Sequence, residues 1–196
     1  MRISKKVCSH RTTLSLAGYT LLVFMSPPIL LLTGQPLVDE TLAASPPSLT
    51  VAQTTAAQLM DEAETMLDRG WQQMKSSQFQ AAIASYERAL SISRAIAHRQ
   101  IEAEALSGIG AVYSLLGDYQ QSISYQQQAL AIYQSIGNQG SAADTLQGIA
   151  DSYWAIGNYQ QARTHFQQTL SIYQQLGNYE GEQYILGLLD QLGTTQ

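Results

Sequence analysis

With 196 residues, the chain is long enough for one ordinary domain or one short repeat array. Apolar residues make up 45% of it, ample for a core, whereas charged residues make up only 13%, so neutral polar groups, glutamine above all, must solvate the surface. Four of its ten basic residues, Arg2, Lys5, Lys6 and Arg11, precede residue 12; without them six bases face fifteen acids, a balance that repels phosphate backbones and excludes nucleic acid as an expected partner.

Residues 1–13 are basic and polar, and Leu14 to Leu32 is mostly apolar, broken by Gly18 and by Pro27-Pro28. Basic start, apolar run and a following Pro/Thr/Ala/Ser segment fit an export signal. The run Leu14–Met25 suits a signal better than a spanning helix. Residues 1–44 are therefore expected to be a signal peptide cleaved near Ala43-Ala44, with export to a periplasm or lumen. Asp39 and Glu40 are awkward near a cleavage point, so a retained N-terminal membrane anchor is the alternative. Either way this segment contacts a membrane at least during export. The single cysteine, Cys8, lies before the apolar run and excludes an intrachain disulfide or a cysteine-based metal centre. Residues 45–56, with Pro46-Pro47 and no apolar period, read as a disordered linker.

From about residue 57 a pattern recurs every forty residues, the mark of a repeat array. The first unit, about 57–96, opens with Asp61, Glu62 and Glu64, read as acids at a helix start. Met66, Gly70, Trp71 and Met74 follow at helical spacing, Ser76-Ser77-Gln78 is the turn, and Ala82, Ile83, Tyr86, Ala89 and Leu90 stripe a second helix. In the second unit, about 97–136, Leu106, Ile109, Gly110 and Tyr113 share one helix face. Gly117 supplies a left-handed stop, Asp118 caps the next helix, and Gln121 is placed to complete a capping box. The third unit, about 137–176, repeats this with Leu146, Ile149, Ala150, Tyr153, Gly157-Asn158, Gln161, Ala162 and Phe166. The pairs Gly137-Asn138 and Gly177-Asn178 punctuate the longer joints, where the first unit has Ala97-His98 and so predicts a more continuous helix. A half unit, 177–192, keeps Leu186 and Leu189 but places Asp190 where Gly70, Gly110 and Ala150 stand, as expected of a polar terminal cap.

The pattern Leu106, Ile109, Gly110, Tyr113, Gly117-Asp118-Tyr119 and Ala129-Leu130, repeated in the third unit, resembles the tetratricopeptide repeat. The forty-residue period exceeds the family's usual ~34 and resembles the long-repeat subgroup of kinesin light chain and bacterial scaffolds. The resemblance implies an all-α fold, a right-handed α-solenoid of three helix-turn-helix repeats plus a C-terminal capping helix. Three departures stand out. Ser122 replaces an alanine, Gln126 replaces the aromatic found at Tyr86 and Phe166 (with Tyr125 next door to compensate), and Arg69 replaces the apolar residue of Ile109 and Ile149, which makes the first unit the loosest.

In that family the first helix of each unit lines a concave face. Carried over, its ligand-contacting positions are Glu64, Leu67, Trp71 and Met74; Glu104, Ser107, Ala111 and Ser114; and Asp144, Gln147, Asp151 and Trp154. The resemblance thus implies a groove of acids with apolar and aromatic anchors, suited to a protein or peptide segment that is basic or neutral with an apolar anchor. Each tryptophan has simple packing as its alternative role. No nucleophile elbow, phosphate loop or dinucleotide fingerprint occurs, and His98 and His165 lie far apart in register, so no catalytic set, metal site or cofactor is expected. The expected function is a non-enzymatic interaction scaffold. The alternatives are a self-associating structural adaptor in an envelope assembly and an accessory subunit of an enzyme complex.

Overall fold

The computed structural model of the chain describes residues 49–194, with side chains from residue 55. The leader and its proposed cleavage region lie outside the described residues. Seven helices follow in order: α1 Leu49–Lys75, α2 Phe79–Ala95, α3 Arg99–Leu115, α4 Tyr119–Ser135, α5 Gln139–Ala155, α6 Tyr159–Leu176 and α7 Tyr179–Thr194. No strand occurs among the described residues, and no helix among them is long and apolar enough to cross a membrane. Each helix packs on the next; α1 also touches α3, and α3 touches α5, whereas no two of α2, α4 and α6 meet. The first helices of the pairs are thus an inner row and the second helices an outer row, the arrangement of an all-α solenoid.

One turn design makes every joint. The chain leaves each helix through a residue of positive φ: Ser77 (58°), Ala97 (55°), Gly117 (79°), Gly137 (73°), Gly157 (77°) and Gly177 (65°). The next residue donates its N–H to a carbonyl five residues back, as Asp118 does to Tyr113 (3.0 Å) and Asn158 to Tyr153 (2.9 Å). That closes the orphan carbonyls of the finished helix. At every joint but the first, where Gln78 makes no side-chain cap, the same residue then caps the new helix, Asp118 accepting from the Gln121 N–H (3.2 Å) and Asn138 from the Ser141 N–H (3.1 Å). Gln121 and Gln161 contribute a backbone N–H to these caps; the expected reciprocal side-chain bond does not form. The Ala97-His98 joint is no more continuous than the others. His98 Nδ1 accepts from the Ile101 N–H (3.3 Å), and Ala97 adopts the left-handed conformation without glycine's freedom.

Between helices, one bulky outer-row side chain wedges into the next inner helix. The Tyr86 ring lies between Gly70 of its own unit and Gly108 of the following one, and a Cβ at either glycine would come within 2.8 and 2.6 Å of that ring. Gln126 lies likewise between Gly110 and Gly148. Phe166, fully buried, packs with Ala150 and Ala162. Tyr125 does not stand in for the missing aromatic. It stacks on Tyr113 at 5.5 Å, and Gln126 itself fills the slot, buried with its Oε1 unpartnered. Ser122 is buried opposite Ser152, their hydroxyls 3.0 Å apart across the α4–α5 joint.

Three expectations need correction. Helical backbone begins at Leu49, within the segment read as linker, because no glycine or proline follows Pro47 to stop the helix running back from Leu59. Asp61, Glu62 and Glu64 are therefore mid-helix, and Glu62 pairs with Arg88 of α2 at 2.7 Å. The C-terminal helix ends the array as expected, but its exposed face is not wholly polar. Asp190 is exposed as expected, but so are Tyr179, Tyr184 and Leu186, and only Ile185 and Leu192 are buried.

Replacing Ala97 by glycine should stabilise the fold by roughly 0.5–1 kcal/mol by relieving a left-handed alanine, while Gly117→Ala should cost about as much. Urea-unfolding midpoints of the two variants should move in opposite directions. Gln126→Met, of similar length but without the unpaired oxygen, should add about 1 kcal/mol; a lowered midpoint would mean that the amide is satisfied in solution.

Candidate binding groove on the inner row of helices

Because α1 and α3 touch directly, their facing surfaces enclose a cleft of about 350 Å³. Leu67, Asp68, Trp71 and Met74 form the α1 wall, and Glu104, Ser107, Gly108 and Ala111 the α3 wall. Tyr86 and Tyr133 reach through from the outer row to floor it. Tyr86 is visible there because Gly70 and Gly108 carry no Cβ to cover it. An adjoining cleft of about 320 Å³ shares Leu67, Asp68 and Glu104 and adds Glu64, His98 and Gln100. The structure thus brings together Glu64, Leu67, Trp71, Met74, Glu104, Ser107 and Ala111. Ser114, Asp144, Gln147, Asp151 and Trp154 line neither cleft.

The reasons differ by residue. Trp154 is half-buried and packs edge-on to Phe166, ring centroids 6.2 Å apart, so packing is what it does. Asp144 is tied up by Tyr173, whose hydroxyl donates to its Oδ1 at 2.8 Å. Burial raises the pKa of the Asp151 carboxyl, and a hydrogen bond from the Gln147 side chain partly offsets this. Trp71, by contrast, is 51% exposed, with the Lys75 ammonium 5.7 Å from its ring centroid.

Polar groups run from the joint into the cleft. Asn138 donates to Gln100 Oε1 (3.3 Å), and Gln100 donates to Glu104 Oε1 (2.6 Å). These bonds orient Glu104 from behind through one carboxylate oxygen. Burial pushes the Tyr86 phenol up to about 12 and raises that of Tyr133 further, with Glu104 adding to the latter. Both floor residues are neutral at any physiological pH. Asp68 and the two floor tyrosines were missed by the family positions. Asp68 stands four residues after Glu64, one turn on, so helical spacing alone would have found it.

What this site offers is apolar surface, one exposed indole and carboxylates. Of the described histidines, His98 is spent as a cap and His165 lies in the outer row, so neither pairs with a nucleophile. Among the described residues no group of His, Cys, Asp and Glu could hold a metal ion.

A family model described as tetratricopeptide repeat matches residues 61–135 and 101–175, together more than half of the chain. No curated protein matches the sequence. Among solved structures, the tetratricopeptide domain of Arabidopsis FLU superposes with a TM-score of 0.57 at 20% identity, covering 60% of this chain and 98% of that one. A tetratricopeptide-like protein from Chlorobium tepidum gives 0.58 at 15% identity, over 70% and 98%. The Rap conjugation gene regulator of plasmid pLS20, solved in complex with the Phr* peptide, gives 0.60 at 17% identity, over 80% of this chain and 43% of that one. At these identities the likeness is one of fold.

The two tryptophans should separate cleanly in stability. Trp154→Ala removes a half-buried ring from Phe166 and should cost ~2 kcal/mol, below the 3–5 of a fully buried aromatic. Trp71→Ala should change stability by less than about 0.5 kcal/mol, as surface substitutions do. Chemical denaturation of both variants checks the contrast.

Proposed function

The chain belongs to the tetratricopeptide-repeat family, whose fold is a protein-interaction scaffold, and on that premise we propose that the cleft between α1 and α3 holds a peptide or protein segment that is basic or neutral and carries one apolar anchor. The observation that carries this reading is the half-exposed Trp71 in one cleft with Asp68 and Glu104. Covering the exposed half of an indole is worth on the order of 2 kcal/mol, and tryptophan is a frequent interface anchor. The carboxylates favour a cationic neighbour and disfavour an acidic tail. The helices are already packed, so little ordering cost falls on this side of the complex. The peptide complex of the Rap regulator supports a peptide as the ligand class. The activity proposed is binding without catalysis.

Export of the array belongs to the same proposal and is supported by the basic start and the Leu14–Leu32 apolar segment. A second reading, self-association through the array end, is favoured by the exposed Tyr179, Tyr184 and Leu186 of α7. Light scattering over a concentration series separates the two, because a peptide-binding monomer does not grow.

Crosslinking pull-down of the full chain from the envelope fraction tests the leading reading, set beside Trp71→Ala and an Asp68→Lys/Glu104→Lys pair. Both variants should lose the captured partner at least tenfold while folding normally. Equal recovery by all three would refute the cleft, and absence of the chain from the envelope would refute export.

A further inference from the structure

On the outer row, between α4 and α6 with α5 beneath, lies a cleft of about 500 Å³. Its floor is aliphatic: Leu130, Leu146 and Ile172. Its rim is polar and uncharged: Gln134, His165 and Gln168, with Ser171 beside them. The same surface one repeat earlier shows why this cleft is open. There the matching floor residues are Leu90, Leu106 and Ile132, all buried. Arg94 stands in place of Gln134 and is held by Glu102 at 3.0 Å, and Tyr125 stands in place of His165 and stacks on Tyr113. Shorter side chains at 134 and 165 leave Leu130 and Ile172 only half-buried.

The lining is also prepared for a particular chemistry. Helix α4 carries no charged residue, and the one permanent charge of α6, Arg163, is turned to α7, where it donates to the Leu192 carbonyl at 3.3 Å. His165 lies parallel to the Tyr153 ring at 5.5 Å and donates from Nδ1 to Gln168 Oε1 at 3.1 Å, which leaves Nε2 as an acceptor. Burial lowers its pKa below the ordinary histidine value, so the ring is neutral at pH 7. A charged ligand would give up water here and meet no counter-ion. Hydroxyl and amide groups, in contrast, find Gln134, Gln168 and Ser171, each able to donate and to accept. The volume falls within the usual range of small-molecule clefts, roughly 300–1,000 Å³.

We propose that this outer cleft is a second binding site, for an uncharged small molecule with an apolar ring or face and hydroxyl or amide groups along its edge. It is independent of the inner groove, with which it shares no residue.

The test uses the full chain and three probes that share one aromatic ring: phenyl β-D-glucoside, phenyl phosphate and benzyltrimethylammonium. Residue-resolved NMR titration should show the glucoside moving the signals of Gln134, His165, Gln168 and Ser171, with a dissociation constant of ~1 mM, a fragment's affinity. The two ions should leave those signals in place. Ser171→Trp, at an exposed position, should fill the cleft and weaken the glucoside at least tenfold. Gln168→Lys should reverse the ranking and admit phenyl phosphate, a gain that misfolding cannot produce. The proposal is overturned if the ions shift the same signals as strongly as the glucoside, if the glucoside moves none of them, or if Ser171→Trp leaves its binding unchanged.

Discussion

An aromatic ring pressed between two glycines on successive helices ties this array together. Tyr86 reaches across from α2, and its ring occupies the space that a Cβ at Gly70 or Gly108 would need. One side chain thereby fixes both its own pair and the joint to the next pair. Nearest-neighbour coupling of this kind is all that a one-dimensional stack has, since no contact spans more than two helices along the inner row. The same contact makes the groove. With no Cβ on Gly108 the walls of α1 and α3 stand apart over the tyrosine, and the cleft is floored by the residue that holds its sides in place.

That coupling weakens along the chain. At the second joint Gln126 takes the ring's place between Gly110 and Gly148, and it buries an oxygen without a partner. Some compensation is local: the Ser122 and Ser152 hydroxyls meet across the same joint, and Ser152 also donates to the Gly148 carbonyl at 2.9 Å. At the third joint Phe166 restores the aromatic, and Trp154 packs edge-on against it. The array therefore has two aromatic joints flanking one polar joint. An unpaired buried amide oxygen costs about 1–3 kcal/mol, a penalty that the middle joint carries alone among the three.

Most of the fold was legible in the sequence because a repeat states its rules several times. Gly117, Gly137, Gly157 and Gly177 mark four of the six turns, and the residue after each is a capping Asp or Asn. What the pattern hid was where the rule is kept without its usual residue. Ser77 and Ala97 make the same turn at φ near +57° because the hydrogen bonds around them impose it, and Ala97 looked like helix for want of a glycine. The groove was half legible. Register along one helix located Trp71 and Glu104, but whether a neighbouring outer helix covers or claims a position is not written in that register. Trp154 points at Phe166, and Asp144 is taken by Tyr173 from 29 residues away, for which a one-helix pattern has no term.

Charge differs between the linings of the inner and outer clefts. The walls contributed by α1 and α3 hold Glu64, Asp68 and Glu104, whereas α4 has no charged side chain at all. Glutamine and serine keep the α4 surface wet without adding charge to it. Carboxylates in the α1 and α3 walls act over the ~8 Å that physiological salt allows, whereas the uncharged α4 surface acts only on contact. The polar joint at Gln126 lies between these regions.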